Sequence, residues 1–169
     1  MSHYKGSGRV LEGDNFSKPL EGNKVMIKPQ ALDIIWGNDS RYWRVNQNEA
    51  ELLQVCWLEV TGSYPLKELL KGRNYKLSFN VSTRPDAFGW GDSPVYLMVK
   101  VGAGPYTWKK ADLSQLKNNN IDIPITSPLT FTVPTDPKED KITFGLYEIW
   151  RGRWKGGLVI HHVLIEPAN

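Results

Sequence analysis

Strict alternation of apolar and polar side chains in short segments most constrains how this chain can fold. Residues 75–82 show the pattern most clearly, since every second residue is apolar, and residues 95–101 repeat it. A period of two places alternate side chains on opposite faces of a β-strand. Helical periodicity is scarce, and only residues 64–71 and 111–117 could form short helical turns. The pattern therefore predicts a β-protein.

Glycine and proline turns separate the alternating segments from one another. Residues 52–61 are nearly all apolar, which predicts a central strand buried on both faces with Trp57 in the core. The proline-flanked residues 129–133 are typical of an edge strand. Many short strands joined by tight turns predict an all-β fold, an antiparallel β-sandwich of the jelly-roll type. The other predicted strands are residues 24–28, 31–36, 42–45, 141–149 and 158–165.

The length of 169 residues fits one domain. Residues 1–23 are polar and rich in glycine, serine and lysine, so we predict a flexible lead-in to a domain at residues 24–169. The N-terminus lacks the apolar core of a secretory signal, and Cys56 is the single cysteine. Both features favour a reducing compartment, so we expect a cytoplasmic protein whose Cys56 is an inert buried thiol. No apolar run is long enough for a membrane span.

No cofactor or metal site is predicted. The chain has no glycine-rich phosphate-binding motif and no nucleophile elbow. His161 and His162 are consecutive on a predicted strand, so we expect them to point to opposite faces and to share no metal ion. The net charge of +3 is too small to indicate RNA binding by itself.

Seven tryptophans are more than a core of this size needs, because each buried indole N–H requires a partner. The first candidate site lies at residues 35–44, where two tryptophans flank a polar turn. An indole can stack on the apolar face of a sugar, while planar polar groups bind its hydroxyls. The alternative is that both tryptophans belong to the core at a tight corner. The candidates are Trp36, Asn38, Asp39, Arg41, Tyr42 and Trp43.

The second candidate site is the glycine-rich loop at residues 147–157, between two apolar strands. Trp154 and Lys155 would contact a ligand there, and Glu148 could accept hydrogen bonds from sugar hydroxyls or an acetamido N–H. The alternative is a hairpin with solvated charges. A third aromatic segment contains Phe88 and Trp90, which we predict to pack inward.

The motifs resemble the phloem protein 2, or Nictaba-like, family of plant lectins. The similarity follows the family order over residues 26–167, and its longest motifs are residues 34–43, 50–60, 88–95 and 154–160. The small phloem-sap lectins of cucurbits are most similar, since this sequence shows no appended F-box or kinase domain.

The resemblance implies a jelly-roll-like β-sandwich that binds chitooligosaccharides and the N-acetylglucosamine core of N-glycans, usually as a homodimer. It also implies roles in sugar binding for Trp36, Trp43 and Glu148, and a location in phloem sap. A lysine-rich nuclear localisation signal has no strong counterpart here. Weak RNA binding or a structural phloem role is the alternative function. A chitin hydrolase would need two opposed carboxylates, for which Asp39 and Glu148 could be proposed, but no catalytic motif supports the pair.

Overall fold

Hydrogen bonding between the alternating segments forms two antiparallel β-sheets in the computed structural model, which describes residues 3–4, 17–20, 24–116, 119–136 and 140–168. Buried apolar side chains from both sheets fill the space between them. The predicted antiparallel β-sandwich is confirmed. No helix among the described residues is long and apolar enough to cross a membrane.

Six strands of the described chain form the first sheet, in which the strands Leu58–Pro65 and Lys141–Glu148 pair along eight residues. The strands are β1 (His3–Tyr4), β4 (Asp33–Ile35), β7 (Leu58–Pro65), β9 (Val95–Val101), β10 (Thr107–Ala111) and β13 (Lys141–Glu148). Their order across the sheet is β1-β4-β7-β13-β9-β10.

Eight strands of the described chain form the second sheet. They are β2 (Ser17–Leu20), β3 (Lys24–Ile27), β5 (Trp43–Val45), β6 (Ala50–Leu52), β8 (Asn74–Phe88), β11 (Ile121–Ile123), β12 (Leu129–Thr132) and β14 (Gly156–Pro167). The main path is β11-β8-β14-β3-β2, while β12 pairs with β8 and β6 joins β5 to β14.

The core contact between the sheets is aromatic at its centre. Phe79 of β8 and Phe144 of β13 meet edge to face, with ring centroids 6.1 Å apart, and both are fully buried. Gly62 lies opposite Phe144 in the β7–β13 register, and a Cβ there would come within 2.6 Å of the phenyl ring. The glycine therefore makes room for the larger ring.

The predicted strand at residues 52–61 is wrong. β6 ends at Leu52 and β7 begins at Leu58, with Val55 forming an isolated bridge to Lys155 between them. Trp57 is consequently 44 % exposed and does not belong to the core. A continuous apolar run does not reveal by itself whether it forms one strand or two.

The short helical turns appear as 3-10 turns at Leu66–Glu68 and Leu113–Gln115, and a further one lies at Pro29–Ala31. The flexible segment expected over residues 1–23 falls mostly outside the described residues, so it stays a prediction. Within that range the structure describes two short strands, β1 and β2.

The expectation that the two consecutive histidines point to opposite faces is wrong. Ile160 of β14 pairs with Val81, and His162 pairs with Asn80, so His161 is an extra residue in a β-bulge. A bulge changes the alternation of side chains along its strand. His161 Nε2 lies 2.8 Å from Ser82 Oγ, and both imidazoles are half-buried on the outer face of the second sheet.

Candidate functional site

The loop at residues 149–154 leaves β13 immediately after Glu148, whose carboxylate holds the loop. Glu148 Oε2 accepts hydrogen bonds from the backbone N–H groups of Trp150 (3.2 Å) and Arg151 (3.4 Å). Glu148 falls on the inward-facing positions of β13 and is 1 % exposed. These contacts shape the loop, and because Glu148 also lines the cavity beside it, its predicted contact with a ligand stays a prediction.

Lys155 closes the same loop from the other end. Its Nζ lies 3.2 Å from Glu148 Oε1 and donates to the carbonyl oxygens of Arg153 (2.8 Å) and Cys56 (3.3 Å). Because the side chain is fully buried and its ammonium group contacts protein oxygens, it cannot meet a ligand as we expected. The ammonium group instead ties the loop to the segment between β6 and β7.

A cavity of about 450 Å³ opens beside this loop. This volume lies within the usual range for small-ligand sites. Trp150 packs edge to face against Tyr96, with ring centroids 5.0 Å apart, yet remains 56 % exposed. The indole of Trp108 is also largely exposed. The lining residues are Pro94, Tyr96, Trp108, Glu148, Trp150 and Arg151.

A layer of aromatic rings on the outer face of the first sheet supports this cavity. Trp108 contacts Tyr147, with ring centroids 5.8 Å apart. The Tyr147 ring lies over Gly145, where a Cβ would come within 2.6 Å of it. Burial, with a smaller contribution from Glu59, raises the pKa of Tyr147 to about 12.

A smaller aromatic crevice of about 80 Å³ lies on the other side of the loop. Tyr42 contacts Trp36 edge to face at 5.6 Å and stacks on Trp154 at 6.4 Å. Trp57 and Trp154 both present large exposed areas here. The crevice is lined by Trp36, Tyr42, Val55, Cys56, Trp57 and Trp154, so Cys56 is half-buried rather than enclosed in the core.

The polar turn beside the crevice is internally bonded. Trp36 adopts a positive φ of 69°, which few non-glycine residues do. Asp39 accepts hydrogen bonds from Arg41, chiefly from the guanidinium Nη2 at 2.7 Å and also from the backbone N–H at 3.0 Å, and these lower the pKa of Asp39 to about 2. The same guanidinium lies 5.1 Å from the Tyr42 ring centroid. Asn38 is exposed at the tip of the turn.

Trp43 does not join the other predicted residues. It lies in β5, which pairs with β6, and it is 2 % exposed in the core. A buried indole has no free face for a sugar, so its assignment as a stacking surface is corrected. The structure does gather Trp36, Tyr42 and Trp154 in the crevice.

Three aromatic residues of these surfaces escaped the sequence analysis. Tyr96 lies at an outward position of β9. Trp108 lies in β10 and pairs in register with Met98 of β9. Alternation along residues 95–101 placed Tyr96 on the outer face, but not next to Trp108. Trp57 was assigned to the core.

The third aromatic segment has one aromatic residue in the core and one on the surface. Trp90 is buried as predicted, and its indole Nε1–H donates to the carbonyl oxygen of Gly156 at 3.0 Å. Phe88, in contrast, is largely exposed. Among the described residues, no group of three or more histidine, cysteine, aspartate or glutamate side chains could hold a metal ion.

Comparison with known proteins gives one consistent family. The family model described as Phloem protein 2 matches residues 22–167. The Arabidopsis thaliana protein PHLOEM PROTEIN 2-LIKE A9 is 38 % identical over 182 residues, covering 99 % of this chain and 97 % of that relative.

Other similarities are more partial. A Luffa acutangula protein named Lectin is 35 % identical over 97 residues, which is 53 % of this chain, and the match spans 46 % of that relative's length. Among solved structures, a GH26-CBM35 β-(1,4)-mannanase from Podospora anserina gives a TM-score of 0.44 at 10 % identity. That match covers 86 % of this chain and 28 % of the mannanase.

Proposed function

This chain belongs to the phloem protein 2 family, and on that premise we propose that it is a non-catalytic lectin that binds oligosaccharides of N-acetylglucosamine. The observation that carries the proposal is the cavity beside the loop, where Tyr96, Trp108 and Trp150 form an open aromatic wall. The Luffa relative named Lectin supports carbohydrate binding in general, and the specificity for N-acetylglucosamine is part of the proposal.

Stacking on the aromatic wall would supply most of the affinity. The pyranose ring has apolar C–H faces, and an exposed indole is a flat apolar surface of similar size. Each aromatic contact is worth about 0.5–1.5 kcal/mol beyond the area that it buries. Polar groups at the cavity mouth, including the Arg151 guanidinium and the indole N–H groups, would orient the hydroxyl and acetamido substituents.

The ligand would be an oligomer rather than a single sugar, because the exposed rings continue past the cavity. Trp150 lines the cavity and Trp154 lines the crevice, and one short loop carries both. Trp57 Nε1–H donates to Glu59 Oε1 at 3.0 Å, and Glu59 pairs in register with Tyr147, which contacts Trp108. A longer chain of sugars would cover more of this surface, so we expect its affinity to rise with length.

The biological setting is part of the same proposal. Phloem protein 2 relatives point to phloem sap and sieve elements as the location. Glycoproteins that carry N-acetylglucosamine, and chitin fragments from fungi or insects, would be the partners. Two copies of the chain would form a homodimer whose paired sites increase the avidity for polyvalent glycans.

Titration calorimetry with chitotriose tests the proposal directly. We expect wild type to bind and Trp150→Ala to lose about 0.5–1.5 kcal/mol of binding free energy while keeping its circular dichroism spectrum. Phe88→Ala is the matched control, because Phe88 is a similarly exposed aromatic residue that lines a different groove. If wild type gives no heat with chitotriose or longer chitooligosaccharides, the lectin proposal fails.

A further inference from the structure

Arg151 differs from Lys155 and Arg153 in that its side chain has no carboxylate partner among the described residues. Lys155 is paired with Glu148, and Arg153 Nη1 lies 3.6 Å from Asp92 Oδ2. Arg151 lines the cavity, its side chain is exposed, and it forms no ion pair among the described residues. An exposed residue that lines a cavity and forms no ion pair has a guanidinium available to a ligand.

The charge of the cavity wall follows from the same contacts. Glu148 and Arg151 are its two charged lining residues. The Glu148 carboxylate is compensated by Lys155 at 3.2 Å and by two backbone N–H groups. Glu59 lies beyond Tyr147 and already accepts the hydrogen bond from Trp57. The wall is therefore aromatic with an excess positive charge supplied by Arg151.

We propose that the cavity prefers N-acetylated sugars that carry a negative charge, with Arg151 as the residue that recognises the anion. This inference rests on the proposed function, because it concerns the sugar seated against Tyr96, Trp108 and Trp150. A guanidinium presents a planar pair of N–H donors that matches a carboxylate. A sugar whose apolar face stacks on the aromatic wall can place an acidic substituent at the mouth, where Arg151 lies.

The 3-O-lactyl ether of N-acetylglucosamine, which is N-acetylmuramic acid, provides such a carboxylate. The partner would then be a polymer in which N-acetylglucosamine alternates with its acidic lactyl ether, as well as neutral chitin. A phosphorylated N-acetylglucosamine offers the same recognition chemistry from a second source. Chitobiose carrying a 6-phosphate, titrated against neutral chitobiose, distinguishes the two sources.

Two disaccharides that differ in the lactyl carboxylate test whether the negative charge increases the affinity. Chitobiose and the disaccharide N-acetylglucosamine–N-acetylmuramic acid share the same β-1,4-linked backbone and differ by the lactyl group. By calorimetry at low ionic strength we expect wild type to bind the acidic disaccharide about threefold more tightly, the scale of an exposed ion pair. The preference should decline as salt is added, because exposed charges are screened.

Two single-residue variants test whether Arg151 causes the preference for the acidic disaccharide. Arg151→Gln should bind both disaccharides alike, because it removes the charge that distinguishes the acidic disaccharide from the neutral one. Arg153→Gln is the matched control and should keep the preference, because it removes a cation already paired with Asp92. The lactyl amide of the acidic disaccharide should bind wild type like chitobiose, since it keeps the shape of the substituent without its charge.

Three results would overturn the inference while leaving the lectin proposal intact. They are equal or weaker binding of the acidic disaccharide by wild type, a preference that survives in Arg151→Gln, and equal binding of the amide and the acid. Absence of binding for both disaccharides and for longer chitooligosaccharides would overturn the inference and the proposed function together.

Discussion

Glu148 and Lys155 form an ion pair inside the sandwich, with Oε1 and Nζ 3.2 Å apart and both side chains at most 1 % exposed. Moving two charges out of water is costly, and only close pairing and further hydrogen bonds offset that cost. The backbone of the intervening loop supplies those bonds through the N–H groups of Trp150 and Arg151 and the carbonyl of Arg153. The pair therefore fixes the loop that separates the cavity from the crevice.

Lys155→Met should destabilise the fold strongly, because it leaves the Glu148 carboxylate buried without its counter-charge. Losing one partner of a buried pair typically costs about 3–5 kcal/mol. Urea denaturation measures the change in the free energy of unfolding. The double variant Glu148→Gln with Lys155→Met should be less destabilised than the single one. A single variant within 1 kcal/mol of wild type would contradict this account of the pair.

Trp43→Ala should act on stability and not on ligand binding. The indole is buried in the core, and truncating it should cost about 3–5 kcal/mol of unfolding free energy. Trp43→Phe should cost less, because its indole N–H has no hydrogen-bond partner among the described residues. Urea denaturation gives the stabilities, and titration with chitotriose gives the affinity of each folded variant. Unchanged stability with lost affinity would show instead that Trp43 contributes to the binding surface.

Trp57→Ala should have the opposite effect, with unchanged stability and weaker binding of long oligosaccharides. Trp57 is exposed and lines the crevice, so on the proposed function only an oligomer long enough to extend from the cavity to the crevice contacts it. We expect a loss of about 0.5–1.5 kcal/mol with chitotetraose and little loss with chitobiose. Calorimetric titration of both ligands measures the difference. An equal loss for both would mean that Trp57 belongs to the first sugar position.

Gly145→Ala should disturb the aromatic layer beneath the cavity. The new Cβ would come within 2.6 Å of the Tyr147 ring, which must move away from the strand and from Trp108. Overpacking of this kind costs about 1–3 kcal/mol of stability. Urea denaturation reports the cost, and near-ultraviolet circular dichroism reports the displaced rings. Gly145→Ala combined with Tyr147→Ala should remove the overpacking, and persistence of the full penalty would exclude this explanation.

Protonation of the two bulge histidines should weaken the fold in mild acid. Burial lowers the pKa of His161, partly offset by Glu49, and burial also lowers the pKa of His162, where Asp122 opposes the shift and His161 adds to it. An imidazole with a lowered folded-state pKa favours the unfolded chain once it charges. Stability should therefore hold above the ordinary histidine pKa of 6.5 and fall as the pH drops below it.

The His162→Gln variant tests that pH dependence. Its melting temperature should decrease less than that of wild type between pH 7.5 and pH 5, because one of the two titrating groups is gone. Apart from Asp122, which interacts with His162, the carboxylates contribute in the same way to both proteins and so cancel in the comparison. A parallel decrease in both proteins would show that the acid sensitivity arises elsewhere.

The fold class could be predicted from the sequence because side-chain alternation is local. Residues 75–82 and 95–101 became parts of β8 and β9, as their period of two required. The break before Leu58 could not be predicted in the same way, because the bridge that separates β6 from β7 pairs Val55 with Lys155, a hundred residues later. The bulge at His161 likewise depends on the register with β8.

The candidate site could be predicted only in part, because some of its residues meet through long-range contacts. The loop at residues 147–157 stood out as an aromatic, glycine-rich segment, and it separates the cavity from the crevice. Sequence reasoning treated Glu148 and Lys155 as ligand contacts because it could not detect that they meet each other. It missed Trp108 because that residue reaches the cavity only through the pairing of β10 with β9.

The position of β14 within its sheet determines when the protein can fold. This strand, at residues 156–167, pairs with β8, β3 and β6, which precede it by tens to more than a hundred residues. Contacts between distant parts of a chain must close long loops, and folding slows accordingly, to milliseconds or seconds. During synthesis, therefore, β3, β6 and β8 cannot be joined into one sheet until β14 has left the ribosome. Until then, the edges of β3 and β8 that pair with β14 lack their native hydrogen-bond partner.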